Sequence, residues 1–113
     1  MRPIPISMML AILVGGCLLA AASQAQDAKA QDAQVERGRT FAEANCASCH
    51  AIGPAGESPL RAAPPFRTLH LRYPVENLAE ALAEGIMTAH PAMPHFRLET
   101  DQIGDLIAYL KTL

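Results

Sequence analysis

The sequence predicts an all-α fold in which three main helices are joined by irregular loops. Three observations carry that prediction. Apolar residues recur at three- and four-residue spacing in three separate segments, around Phe41, Leu78 and Leu106. Proline and glycine gather between those segments, in runs too broken for any regular element. The residues after His50 show neither the alternation nor the β-branched runs of a strand.

Ahead of the helices lies a segment of another kind. Arg2 precedes an apolar run from Ile4 to Ala22, and the small residues Ser23 and Ala25 follow. This is the layout of a secretory signal peptide, so residues 1–25 are expected to be removed, with Gln26 as the first mature residue and cleavage after Ala22 as the alternative. Uncut, the same run is about long enough to cross a bilayer. Val14-Gly15-Gly16-Cys17 loosely resembles a lipoprotein cleavage box, but Leu18 and Leu19 continue it poorly, and Cys17 reads as a small apolar residue of the signal. A membrane is therefore a partner only if this segment stays uncleaved or lipidated. Export places the mature chain in the periplasm.

Residues 26–34 alternate Ala with Asp, Gln and Lys and read as a polar spacer, frayed or continuing into the next helix. Residues 35–113 form the one remaining domain, small enough for burial alone to give a marginal core that a covalent cofactor would complete. Beyond residue 25 there are 8 Lys and Arg against 11 Asp and Glu, a balance that argues against a nucleic-acid partner. The chain has no Trp, so it offers little platform for stacking bases or sugars.

The first helix of the domain is expected from about Val35 to Ser48, with Val35, Phe41, Ala42 and Cys46 facing inward and Glu36, Arg37, Arg39 and Glu43 outward. Gly38 inside this pattern costs about 1 kcal/mol relative to Ala and invites a packing explanation. The helix runs into Cys46-Ala47-Ser48-Cys49-His50, a C-x-x-C-H run that is the attachment signature of a c-type haem. Two thiols can add to the porphyrin vinyl groups while the adjacent imidazole reaches the iron, so one short turn supplies three bonds to one cofactor. A thioredoxin-like pair would need a βαβ context, which is missing here. A structural zinc site would need a second pair of ligands, and the other cysteine, Cys17, lies in the signal.

Gly53 to Phe66 carries too many Pro and Gly residues for a regular element and is expected to wrap the cofactor as loop. Pro74 to Gly85 reads as a helix, with Pro74 at its start, Val75, Leu78, Ala79, Leu82 and Ile86 on one side, and Gly85 as its stop. Ile86 to Arg97 is a second loop. Thr100 is the expected N-cap of a terminal helix whose apolar side is Ile103, Leu106, Ile107 and Leu110.

The order of these parts resembles class I cytochrome c from Gly38 to Lys111. A helix enters C-x-x-C-H, a Pro-bearing and then a Met-bearing loop follow, and the last helix reads Leu106-Ile107-Ala108-Tyr109-Leu110-Lys111, similar to mitochondrial members. The Met-Pro-x-Phe run at Met93 is similar to bacterial ones. The resemblance implies the cytochrome c fold around one covalent haem c. It also implies that the first and last helices cross closely at Gly38, with Leu106 and Tyr109 as partners. Phe41 departs from the pattern, standing five residues before Cys46 where the family's aromatic usually stands four before.

Cys46 and Cys49 are the expected haem attachment points, with His50 and Met93 as axial ligands of the haem iron. The imidazole of His50 needs an acceptor on its other ring nitrogen. The resemblance points to the carbonyl of Pro64, with Pro65 as a rival. For the distal ligand, Met87, His90, Met93 and His95 all lie in the second loop. Met93 matches best, because Pro94 biases it toward extended backbone and Pro91 stiffens the chain before it. Met87 is expected to be core filler, and His70, His90 and His95 to be water-exposed. Tyr73, Arg61 and Arg67 are candidates for the propionates without a motif to align them.

With His and Met on the iron no coordination position is open, so electron transfer rather than catalysis is expected, between redox partner proteins that the sequence does not name. Two alternatives come from other classes. One is the haem subunit of a larger periplasmic dehydrogenase, and the other is a gas-binding sensor or weak peroxidase with a labile methionine.

Overall fold

The computed structural model describes residues 6–85 and 92–113, with side chains from residue 22 onward. Among these residues the chain is helical and contains no strand, in agreement with the all-α expectation. Helix α1 spans Ile6–Asn45, α2 Leu78–Glu84 and α3 Thr100–Leu110. Two 3₁₀ turns, Phe66–Leu71 and Val75–Asn77, precede α2.

The chain divides into two units, Met1–Asp32 and Ala33–Leu113. In the first, the described backbone is α-helical and the side chains of residues 22–32 are exposed. Residues 26–34, expected as a spacer, are thus helical, consistent with the strong helix preference of their Ala, Gln and Lys. Among the described residues no helix is long and apolar enough to cross a membrane.

In the second unit, α1 ends at Asn45 rather than Ser48, and the chain tightens into a turn over Cys46–Cys49. The Asn45 side-chain amide folds back and donates to the Phe41 carbonyl, 2.9 Å away, in the last turn of the helix. The inner face of α1 buries Gly38 and Ala42, with Val35 and Phe41 half-buried.

Helix α3 supplies Ile103, Leu106, Ile107, Tyr109 and Leu110 to the core. Leu106 and Leu110 retain 4% and 5% exposure, so each contributes about 1.5–3 kcal/mol of apolar burial. The helix begins one residue earlier than expected. Glu99, with extended backbone, is the N-cap in place of Thr100, and its N–H donates to the Gln102 side-chain oxygen at 3.1 Å. That arrangement is one arm of a capping box.

The two helices meet at Gly38. A Cβ placed there would collide with the Asp105 carbonyl oxygen and come within 2.9 Å of the Tyr109 Cβ. The expected partner Tyr109 is therefore present, while the nearest backbone belongs to Asp105 and not to Leu106. The Arg37 guanidinium grips the Asp105 carboxylate with two hydrogen bonds, Nε to Oδ2 at 2.8 Å and Nη2 to Oδ1 at 2.9 Å, beside this contact. A bidentate fork of this kind fixes orientation as well as adding attraction.

The Pro-rich segment is mostly irregular, as expected, but it ends in the 3₁₀ turn Phe66–Leu71, whose three-residue period buries Phe66 and Leu69 together. The expected helix from Pro74 begins as the second 3₁₀ turn and becomes α-helical only at Leu78. Gly85 stops it with φ of +95°, a conformation few other residues adopt. The backbone returns at Leu98, whose N–H donates to the Leu82 carbonyl at 2.9 Å. Lys111 pairs with Glu76 at 2.7 Å and ties the end of α3 to the second 3₁₀ turn.

Candidate functional site

The turn after α1 is built by hydrogen bonds from Cys49 N and His50 N to the Cys46 carbonyl, at 3.1 and 2.9 Å. It puts Cys46, Cys49 and His50 on one wall of a cavity of about 450 Å³. That volume lies within the range of about 300–1,000 Å³ typical of ligand and cofactor pockets. Phe41 and Asn45 of α1, Phe66 and Leu69 of the first 3₁₀ turn, Leu78 and Leu82 of α2, and Leu106 and Leu110 of α3 also line it. Phe41 thus reaches the cavity despite its one-residue displacement from the family pattern.

Both thiols are free and half-buried. Burial, and secondarily the charge of Cys49, pushes the Cys46 thiol up to about 11. A thioredoxin-like attacking cysteine requires a shift in the opposite direction. The absence of any strand among the described residues also removes the βαβ setting such a pair needs.

The His50 ring is fixed from two sides. Its Nδ1 donates to the Pro64 carbonyl oxygen at 2.8 Å, and its face meets Phe66, with centroids 5.1 Å apart and planes tilted by 46°. Pro64, not Pro65, is the acceptor; the Pro65 carbonyl instead receives Thr68 N and Thr68 Oγ1. With its proton committed to Nδ1, the imidazole keeps its lone pair on Nε2, the tautomer needed to ligate a metal through that atom.

Met93 is half-buried and lines the cavity together with Pro94 and Phe96. His95 and His70 are exposed and do not belong to the wall. Met87, His90 and Pro91 lie outside the described residues.

Of the propionate candidates, Tyr73 lines the cavity, whereas Arg61 and Arg67 do not. Arg67 Nη1 is buried without a hydrogen-bond partner among the described residues. Arg72 joins Tyr73 in the wall, a place its sequence position did not assign to it. Its signal was available in the three-residue period Phe66, Leu69, Arg72, which continues along the 3₁₀ turn.

Comparison with known proteins fits this geometry. The family model described as Cytochrome c matches residues 35–113. The chain belongs to the cytochrome c family. A relative named Cytochrome c-552, from Bradyrhizobium diazoefficiens, is 35% identical over 102 residues, covering 89% of this chain and 94% of the relative.

A cytochrome c of this kind carries covalently bound haem c and is a haem electron-transfer protein. The donor set suits that group. Two free thiols at C-x-x-C spacing, an imidazole with its Nδ1 proton already committed, and a thioether all face one largely apolar cavity, and Arg72 supplies a cation in its wall.

Proposed function

We propose that this cytochrome c is a periplasmic electron carrier in which Cys46 and Cys49 hold the haem by thioether bonds and His50 and Met93 are its axial ligands. The hydrogen bond from His50 Nδ1 to the Pro64 carbonyl carries the reading, because it commits the imidazole to the ligating tautomer. Bound haem supplies one-electron chemistry at iron.

The protein's own residues would tune and protect that chemistry. Met93 offers a thioether sulfur, which favours the reduced state relative to a second imidazole and gives a comparatively high potential. Leu69, Leu82, Leu106 and Leu110 exclude water from the cavity, and a low-dielectric wall again favours the less charged state. Arg72 and Tyr73 offer a guanidinium and a hydroxyl to the propionates. With His50 and Met93 both given to the iron, no coordination position would stay open to a substrate, which fits an electron carrier rather than an enzyme. Residues 1–25 act as a signal peptide and precede the family-matched segment.

Absorption spectra of the oxidised and reduced protein, with a haem assay, test the reading. The expected result is one haem per chain and no carbon monoxide binding to the reduced protein at neutral pH. Carbon monoxide binding would favour a gas sensor or peroxidase, and stoichiometric copurification with a catalytic polypeptide would make the chain an enzyme subunit.

A further inference from the structure

The segment that carries Met93 is tied to the rest of the domain at its far end. Among the described residues, Ala92 to Phe96 make no hydrogen bond. The ties begin where the segment meets the end of α2. The Leu98 N–H donates to the Leu82 carbonyl at 2.9 Å, and Arg97 Nη2 donates to the Glu84 carbonyl at 3.3 Å. The Phe96 carbonyl passes beside Gly85, 3.7 Å from where a Cβ would stand. Residues 96, 97 and 98 thus meet residues 85, 84 and 82 in reversed order.

Arg97 is exposed, and among the described residues its guanidinium has no carboxylate partner. It goes instead to the backbone carbonyl that ends α2, a place where a basic side chain is a favoured partner. The short stretch back to Met93 transmits position well. Pro94 fixes its own φ and biases Met93 toward extended backbone, while Phe96 is half-buried in the cavity wall. The Leu98 tie is made by backbone alone. Among the described residues, the Arg97 bond is the one side-chain hydrogen bond that joins this segment to α2.

We propose that Arg97 is a positioning residue for the sixth ligand: its bond to the end of α2 holds the Met93 thioether at the iron and slows its exchange for an outside ligand. The proposal rests on the reading of Met93 as axial ligand. An outside ligand enters only after the sulfur leaves, and the sulfur leaves by moving the segment that bears it. Each tie on that segment opposes the move and raises the effective concentration of the thioether at the iron against a ligand in solution. A guanidinium donor makes the tie stronger than a neutral one. The bond is exposed and long, so it acts on ligand exchange without deciding whether the domain folds.

Mixing the ferric, haem-loaded protein with excess imidazole and following its absorption by stopped flow tests this. At saturating imidazole the observed rate is the rate at which the sulfur leaves. Arg97→Ala should raise that rate about two- to tenfold, the range set by one net hydrogen bond, and leave the spectrum before mixing unchanged. Arg61→Ala removes the same charge from an exposed arginine outside the segment and should leave the rate as it is. An unchanged rate in Arg97→Ala would overturn the proposal even if the melting temperature fell, because the arginine would then only stabilise the fold. Equal acceleration by Arg61→Ala would overturn it in favour of a general effect of charge. A Met93→Ala protein that keeps the native ferric spectrum would remove the ligand reading, and the role of Arg97 with it. Where Met93→Ala abolishes that spectrum and Arg97→Ala is silent, the role of Arg97 alone is removed.

Discussion

Gly38 lies directly against the backbone of Asp105, so closely that a single added carbon on Gly38 would overlap the Asp105 carbonyl oxygen. Helix α1 gives up about 1 kcal/mol of helix preference at this position and gains the close approach of α3 in return. That approach matters for the site, because the same stretch of α3 sends Leu106 and Leu110 into the cavity wall.

Gly38→Ala should therefore destabilise the protein, although Ala is the better helix former. Backbone must move to admit the methyl group, and overpacking of this kind costs about 1–3 kcal/mol. For a domain of this size each kcal/mol lowers the melting temperature by about 4–8 °C. Gly38→Leu should be worse still. A haem-loaded Gly38→Ala protein that melts with the unmutated one would place this glycine away from the crossing.

Tyr109 links α3 to the segment just after the haem-attachment turn, because its hydroxyl donates to the Ile52 carbonyl at 2.9 Å. Tyr109→Phe should cost about 0.5–1.5 kcal/mol at neutral pH. Burial, aided by Glu43 and Glu36 and opposed by Arg39, raises the Tyr109 hydroxyl above the ordinary tyrosine value. In the unfolded chain that value is about 10. Below it both states hold the proton and the contribution is complete. As pH rises beyond it the unfolded chain loses its proton first, and the stabilisation fades through the folded value. Thermal melts should show the gap between Tyr109→Phe and the unmutated protein narrowing above about pH 10; a constant gap would mean the hydroxyl is not held as described.

Two thioethers predict a cofactor that cannot be extracted. Acid-acetone should leave the haem on the chain, and Cys46→Ala should retain a fraction through Cys49 with weakened haem staining on denaturing gels. Free release of haem from the unmutated protein would exclude the covalent roles of both cysteines.

Export predicts a mature chain that starts near Gln26. Intact mass of the haem-bearing protein from the producing cell checks it directly. A chain that begins at Met1 with haem attached would make the N-terminal segment an anchor, and a lipid mass on Cys17 would make the chain a lipoprotein.

How much of this site the sequence reveals depends on how local each signal is. Cys46, Cys49 and His50 are adjacent in the chain, so their chemistry is readable without a fold, and Gly38 is readable because a helix-interior glycine has only a cost until something packs on it. Arg37 and Asp105 stand 68 residues apart, and nothing local couples them. Glu99 and Thr100 can both cap a helix, and the Gln102 side chain decides between them only once the turn has formed. The place of Arg72 in the cavity wall was not legible for a different reason. Pro64 and Pro65 mark a break, but the 3₁₀ turn that follows has a period of three, which an α-helical template does not detect.

The sixth ligand is the sharpest of these tests. Met93 lines the cavity between Ala92 and Pro94, while His95, two residues on, is exposed and absent from the wall. Met93→Ala should open the iron, lower the potential and let carbon monoxide bind the reduced protein. Met87→Ala should leave the ligation spectrum unchanged, because Met87 is expected only to pack. His95→Ala should do the same. A Met93→Ala protein that keeps the native ferric spectrum would remove the assignment. A bis-histidine spectrum in the unmutated protein would move the ligand to His90 or His95 and imply a lower-potential carrier. In that case the partners able to exchange electrons with it would change, while the contact of Gly38 with Asp105 and the anchoring of His50 by Pro64 would stand.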